Sequence, residues 1–293
     1  VSGRVVVIGD ALIDELRDDA GVREFVGGAA LNVAVGLSRL GVPASLIAMV
    51  GDDAAGEQIR AYLAEYDVEL FASPSEHGSS RAVSTRSAGG EPEYVFNDAA
   101  QNRRVHYGDA ERAALADAAM VVVSCFPFDD AEQTDALVDA VASASASLAI
   151  DPNPRAGMLH DRDEFVRGFE KAAARAQLVK VGEDDAQLLY GGPLEDLREK
   201  LTGLGVDAVL ATYGAGGAAI DAGGMTLSRG IADLPGPIVD TMGGGDAVLS
   251  TTVALVRGGL PEDEASWGFV LDRAMEVAAA TCRSEGALLR IPE

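Results

Sequence analysis

Lysine is almost missing from this chain: Lys171, Lys180 and Lys200 are the only three in 293 residues. None completes a Gly-x-x-x-x-Gly-Lys-[Ser/Thr] loop, which excludes a Walker-type nucleotide site. Basic residues total 23 against 47 acidic ones, a formal charge of −24, and such a surface repels nucleic acids and anionic membranes. The acidity reads as solvated helix faces that favour solubility. A bound nucleotide must therefore be held by local geometry. Cysteine is scarce too. Cys125 and Cys282 are far apart, which leaves no disulfide framework and no paired metal-ligand spacing; both read as small buried hydrophobes in a cytoplasmic protein. His77, His106 and His160 lack the mutual spacing of a metal site or catalytic pair, and the single tryptophan, Trp267, sits on the apolar face of a late helix as a packing residue. No apolar run approaches the roughly 20 residues needed to cross a bilayer, and the first residues enter a strand pattern without a signal-peptide charge and apolar region. No Gly-x-Gly-x-x-Gly follows that strand, so a dinucleotide site is not expected.

What is present is 48% apolar residues and 34 glycines, enough for one α/β domain with an appendage or two modest domains. Strand-length apolar runs alternate with helical-period segments. Val5 to Ile8, Ser45 to Val50, Met120 to Ser124, Leu148 to Ile150, Leu178 to Val181 and Ala208 to Thr212 read as strands. Ala29 to Leu40, Ala54 to Tyr66, Asp130 to Ser143 and Asp163 to Ala176 read as helices. This order predicts a parallel sheet covered on both faces, with ligands at the carboxyl ends of its strands. The segments 15–26 and 79–104 break the rhythm with short β-prone stretches, Arg81 to Thr85 and Glu93 to Phe96, around Gly89-Gly90, and read as hairpins.

The most informative feature is Asp240-Thr241-Met242-Gly243-Gly244-Gly245-Asp246, running into an apolar helix pattern from Asp246 to Val256. Three glycines let amide groups converge on an anion, and a helix N-terminus adds donors and about half a positive charge. Asp246 is there either as an N-cap or as a carboxylate that takes a proton from a reacting hydroxyl.

This segment resembles the Asp-Thr-x-Gly-Ala-Gly-Asp signature of the ribokinase-like sugar kinases of the phosphofructokinase-B type, with Gly244 in place of the alanine. The resemblance spans nearly the whole chain. Gly27-Gly28-Ala29-Ala30-Leu31-Asn32-Val33-Ala34, closing on Leu40-Gly41, is similar to the family's Gly-Gly-x-x-x-Asn-x-Ala, and Val5 to Asp14 looks like its first strand with the acidic residue that follows. Asp151-Pro152-Asn153-Pro154-Arg155 matches the Asp-Pro-Asn-x-Arg of the fructokinase branch. The resemblance implies a doubly wound, mostly parallel sheet with a small β lid: main domain 1–14, 27–78 and 105–293, lid segments 15–26 and 79–104. It implies Asp246 as base, Gly243, Gly244 and Gly245 as the phosphoryl-binding amides, and Arg155 as a cation for phosphate or sugar. Asp14, Gly28 and Asn32 become sugar contacts, while Lys180, Thr212, Gly214 and Gly217 line the nucleotide. The family's Asn-x-x-Glu maps onto Gly182 to Asp185, so the asparagine is missing and Asp185 is left to order Mg²⁺. Asp240, with carbonyls near Ser284 to Ala287, would hold K⁺.

The implied activity is ATP-dependent phosphorylation of a small sugar at a primary hydroxyl, fructokinase-like, by a protein that pairs as a homodimer through the lid. A 2-keto-3-deoxygluconate kinase, a nucleoside kinase and a non-catalytic sugar- or nucleotide-binding regulator are the alternatives. The nucleoside reading is weakened because the lid offers no aromatic clamp beyond Tyr94 and Phe96.

Overall fold

The computed structural model describes residues 3–18, 21–85 and 93–292; the expected Gly89-Gly90 turn lies outside them. Thirteen strands follow in chain order: β1 (Val5–Gly9), β2 (Leu12–Asp18), β3 (Gly21–Gly27), β4 (Ala44–Met49), β5 (Glu69–Ser73), β6 (Ser80–Thr85), β7 (Glu93–Phe96), β8 (Met120–Ser124), β9 (Ser147–Asp151), β10 (Leu178–Gly182), β11 (Ala208–Thr212), β12 (Ala218–Ala222) and β13 (Met225–Arg229). Nine form one sheet in the order β13-β12-β11-β10-β9-β8-β1-β4-β5. The seven from β11 to β5 are parallel, and β12 and β13 close one edge antiparallel.

Strands such as Val5-Val6-Val7-Ile8 are apolar at every position because both faces are covered. Val5 and Val7 pack into one layer with the helices Ala29–Arg39, Ala54–Glu65, Gly244–Val256 and Glu264–Thr281. Val6 and Ile8 pack into the other, with Asp109–Ala116, Ala131–Ala142, Arg162–Ala173, Glu183–Tyr190 and Leu194–Gly203. Trp267 is wholly buried in the first layer, a packing residue as expected. Cys125 is buried, but Cys282 is only partly so, against the expectation of two buried thiols. Among the described residues no helix is long and apolar enough to cross a membrane.

The remaining strands form a separate small sheet, β3-β2-β6-β7. It consists of two antiparallel hairpins, β2–β3 and β6–β7, joined by a parallel β2–β6 pair. The chain enters it at Leu12, two residues after β1, so Asp14 stands within a strand of the small sheet rather than in a loop after β1.

The helices Ala29–Arg39 and Gly244–Val256 approach closely at Gly36. A Cβ there would lie 2.6 Å from Ser250 Oγ and 3.1 Å from Leu289 Cδ1, while that hydroxyl donates to the Asp246 carbonyl at 2.6 Å. Gly36→Ala would gain up to about 1 kcal/mol of helix propensity, but overpacking costs about 1–3 kcal/mol. We therefore expect a net loss of stability in urea unfolding, partly recovered by adding Ser250→Ala. A stabilised single variant would show that the helices are free to move apart.

Candidate active site

From β1 the chain winds one way to β4 and β5 and later the other way through β8, so the sheet order reverses between β1 and β8. Carboxyl ends of strands at such a reversal form a crevice. Asp10 follows β1 there and is buried. Its Oδ1 accepts from Ala30 N at 2.9 Å, and its carbonyl accepts from Leu31 N at 3.2 Å. Asp10 thus caps the helix Ala29–Arg39 from a neighbouring element, because Gly28 at the N-cap position has φ 109° and no side chain to do so. The sequence reading gave Asp10 no such role; the signal available was an acid directly after the first strand.

The capped helix presents Asn32, whose Nδ2 donates to Asp246 Oδ2 at 2.9 Å. The partner helix starts earlier than its apolar run suggests, at Gly244, with Gly243 as N-cap in the left-handed region at φ 74°. A Cβ on Gly243 would sit 2.6 Å from Ala287 Cα and O, so only glycine fits. Asp246 is therefore not the cap: it is the third residue of the first turn, and its carboxylate accepts from Asn32. The amides of Gly243, Gly245 and Asp246 have no acceptor among the described residues. Burial pushes the Asp246 pKa up to about 6; the Asn32 hydrogen bond, Lys180 and Arg155 pull it down, and Asp151 adds to the rise. Asp14 is likewise pushed up to about 6 by burial, then by Asp10 and Asp246.

Lys180 lies under this helix end. Its Nζ would be 3.3 Å from a Cβ on Gly245 and is 3.2 Å from Asp151 Oδ2. Burial works against its charge, but Asp151, Asp185 and Asp246 outweigh that and raise its pKa. Arg155 is exposed at the mouth and interacts electrostatically with Asp246, Asp10 and Asp151. Asp151 keeps its second oxygen, Oδ1, buried without a partner. Asp185 accepts from Gly182 N at 2.6 Å, and burial pushes it up to about 6 against the pull of Lys180. Among the described residues no three acidic, histidine or cysteine side chains gather as a metal site. Asp185 and the orphaned Asp151 oxygen nevertheless suit Mg²⁺, which takes one or two carboxylates when nucleotide phosphates complete its shell.

A cleft of about 660 Å³ runs between the two sheets, lined by Asp14, Phe25 and Gly27 on the small-sheet side and by Asn32, Asp240 to Met242 and Gly286 on the other. Asp240 ties two loops together: Oδ1 accepts from Met242 N at 3.0 Å and Oδ2 from Gly286 N at 3.1 Å. Thr212, Gly214 and Gly217 lie outside this cleft, at and after the end of β11. Gly217 has a folding reason of its own, since a Cβ would meet Arg229 O at 2.0 Å.

Both departures from the family signatures have a steric counterpart. A Cβ on Gly182 would lie 3.2 Å from Thr212 Oγ1, and one on Gly244 would lie 3.1 Å from Cys282 Sγ. The thiol takes up room that an alanine methyl needs. Gly244→Ala should lower stability in urea unfolding, and adding Cys282→Ala should restore it, with a coupling of about 0.5–3 kcal/mol in the double-mutant cycle. Strictly additive effects would show that the thiol does not oppose the methyl.

Comparisons with known proteins bear on the family and the fold. The profile described as pfkB family carbohydrate kinase matches residues 2–293. A fructokinase of Klebsiella pneumoniae is 27% identical over all of this chain and 97% of its own length. The ATP-dependent 6-phosphofructokinase of Thermoanaerobacterium thermosaccharolyticum is 24% identical over 99% of this chain and 91% of its own. Among solved structures, the fructokinase of Xylella fastidiosa superposes with a TM-score of 0.85 at 20% identity, covering 98% of this chain and 94% of that one. The fructokinase of Vibrio cholerae O395 does so with 0.81 at 22%, covering 98% and 94%. These neighbours carry the ribokinase-like fold read from the sequence, a mostly parallel sheet with a small second sheet. With the signature residues, the fold and a match along its whole length in agreement, the chain belongs to the pfkB family of carbohydrate kinases.

Proposed function

We propose that this kinase transfers the γ-phosphoryl group of ATP to a primary hydroxyl of a small sugar, in the manner of fructokinases, with Asp246 as the base. One observation carries the reading: a carboxylate with its pKa pushed up to about 6 stands in the first turn of a helix whose leading amides have no acceptor among the described residues. The printed descriptions of relatives support the chemistry. Several are fructokinases, one neighbour holds ATP, and another holds fructose, ADP and a potassium ion.

Phosphoryl transfer needs an in-line acceptor oxygen, screening of the γ-phosphate charge and a destination for the acceptor proton. Asp185 and Asp151 would hold Mg²⁺ on the nucleotide, which would supply neutralisation of phosphate charge. Asp14, Gly28 and Asn32 orient the sugar: a carboxylate accepts from two hydroxyls, and the amide of Asn32 has a carbonyl oxygen to spare beside its bond to Asp246. Asp246 Oδ1, which accepts no hydrogen bond among the described residues, takes the hydroxyl proton. The amides of Gly243, Gly244 and Gly245 hold the moving phosphoryl group, each well-aimed donor worth about 3 kcal/mol. The Gly244 amide already bonds Thr241 O at 3.2 Å, so its neighbours carry more of that work. Lys180 and Arg155 screen the charge, and Thr212, Gly214 and Gly217 line the adenine nucleotide. Asp240 with the 284–287 segment would hold K⁺. Exposed Val22 and Val95, on the face of the small sheet opposite to Asp14 and Phe25, support pairing into a homodimer there, and two free cysteines suit a cytoplasmic setting.

Asp246→Asn should lower sugar-dependent ADP release by about 10²–10⁴-fold. In the wild type, kcat/KM should fall below a pKa of about 6, where Asp246 gains its proton; because Asp14 and Asp185 are also pushed up to about 6, that limb should become shallower in the residual activity of the variant. The stability effect has the opposite sign. A folded pKa of about 6 lies above the ordinary 3.8, so the carboxyl's favourable contribution is complete below about 3.8 and is lost as pH rises through about 6. Asp246→Asn should thus gain up to roughly 3 kcal/mol at neutral pH, shrinking towards nothing in acid. Full activity in the variant would remove Asp246 as base. For the cation, initial rates should be higher in potassium than in sodium or a bulky organic cation; identical rates would remove the Asp240 site.

A further inference from the structure

One cation beside this crevice has no explained partner. Arg103 is 9% exposed, yet Nη1 donates only to Ala100 O at 3.1 Å and Met158 Sδ at 3.3 Å, and Nε is buried with no partner. Among the described residues it forms no ion pair. A carbonyl and a thioether are weak compensation for a buried guanidinium, whose Nε edge is built for two parallel bonds to an oxyanion.

Its position ties it to the acceptor side of the site. Ala100 packs with Ala29, Cys125, Met158 and Phe96, a cluster that joins the small sheet to the carboxyl end of β8 and the start of the Asn32 helix. Arg103 and Arg155 both act electrostatically on Asp10 and Cys125. Two guanidiniums, one buried and one at the mouth, therefore face one carboxyl group. Asp10 forms no ion pair with Arg103 among the described residues, and its Oδ1 is committed to Ala30 N.

We propose that Arg103, assisted by Arg155, is the anion-recognising end of the acceptor pocket, and that the sugar phosphorylated here carries an oxyanion, a carboxylate or a phosphate, remote from the reacting hydroxyl. This rests on the kinase reading above and narrows its substrate class. A neutral ketose leaves the Nε edge of Arg103 unpaired, whereas an oxyanion pairs that edge while Nη1 keeps Ala100 O and Met158 Sδ. Sites built around such buried donors reject analogues that lack the matching group.

The test is sugar-dependent ADP release by the full-length protein with fructose, 2-keto-3-deoxygluconate, tagatose 6-phosphate and fructose 1-phosphate. At least one charged acceptor should exceed fructose in kcat/KM by about 100-fold or more, and whether the sugar acid or a sugar phosphate leads identifies the oxyanion. Arg103→Gln should erase that advantage mainly through KM while ATP binding by calorimetry is kept, and Arg103→Lys should retain part of it. A buried arginine with only a packing role would lower the melting temperature and leave the acceptor ranking unchanged; that result overturns the proposal. Fructose turned over as well as any charged acceptor overturns it while the kinase reading stands. No turnover on any of the four, with ATP still bound, overturns both.

Discussion

The site is built around a carboxylate that must stay ionisable while it is drawn out of water. Burial drives Asp246 towards its protonated form. Asn32, Lys180 and Arg155 oppose that tendency, and the balance leaves the pKa at about 6. Each opposing group comes from a different element. Asn32 depends on the helix that Asp10 caps, Lys180 on β10 and its bond to Asp151, and Arg155 on the turn after β9. The close approach of two helices at Gly36 then brings Asn32 to Asp246. The core exists on both sides of the sheet for ordinary hydrophobic reasons. What singles out this end of it is the convergence of charges that no single element could hold.

The same constraint gives a physical meaning to the family signature and to where this chain departs from it. Glycine at 243 is demanded by a left-handed backbone pressed against Ala287, so that position has no latitude. Position 244 has latitude, set by what stands opposite, and here a thiol stands opposite. Gly182 and Thr212 form a second pair of this kind across neighbouring strands. Glycine at these two positions, 182 and 244, leaves room for the side chain opposite without moving the backbone.

Much of this was legible in the sequence because the signals were local. Uninterrupted Val and Ile runs mark strands covered on both faces, and the positions of Asp14, Asn32, Asp151 and Asp246 follow from short motifs. The antiparallel pair β12–β13 carried no helix between its strands and was not anticipated. The cap that Asp10 gives to Ala30, the burial of Arg103 and the contact of Cys282 with the glycine turn join residues far apart in the chain, and no local pattern announces them. The start of the helix at Gly244 was hidden for another reason. Consecutive glycines have poor helix propensity, and the packing of Gly243 against Ala287 overrides it.

The central claim is that Asp246 has a proton affinity raised into the working range by its surroundings. It is tested most directly by a carbon-detected NMR titration of the Asp246 side-chain carboxyl, assigned by comparison with Asp246→Asn. A midpoint of about 6 is the predicted result. A midpoint at or below the ordinary 3.8 would mean that the hydrogen bond and the nearby cations outweigh burial, and would contradict the electrostatic account of this carboxylate as a base.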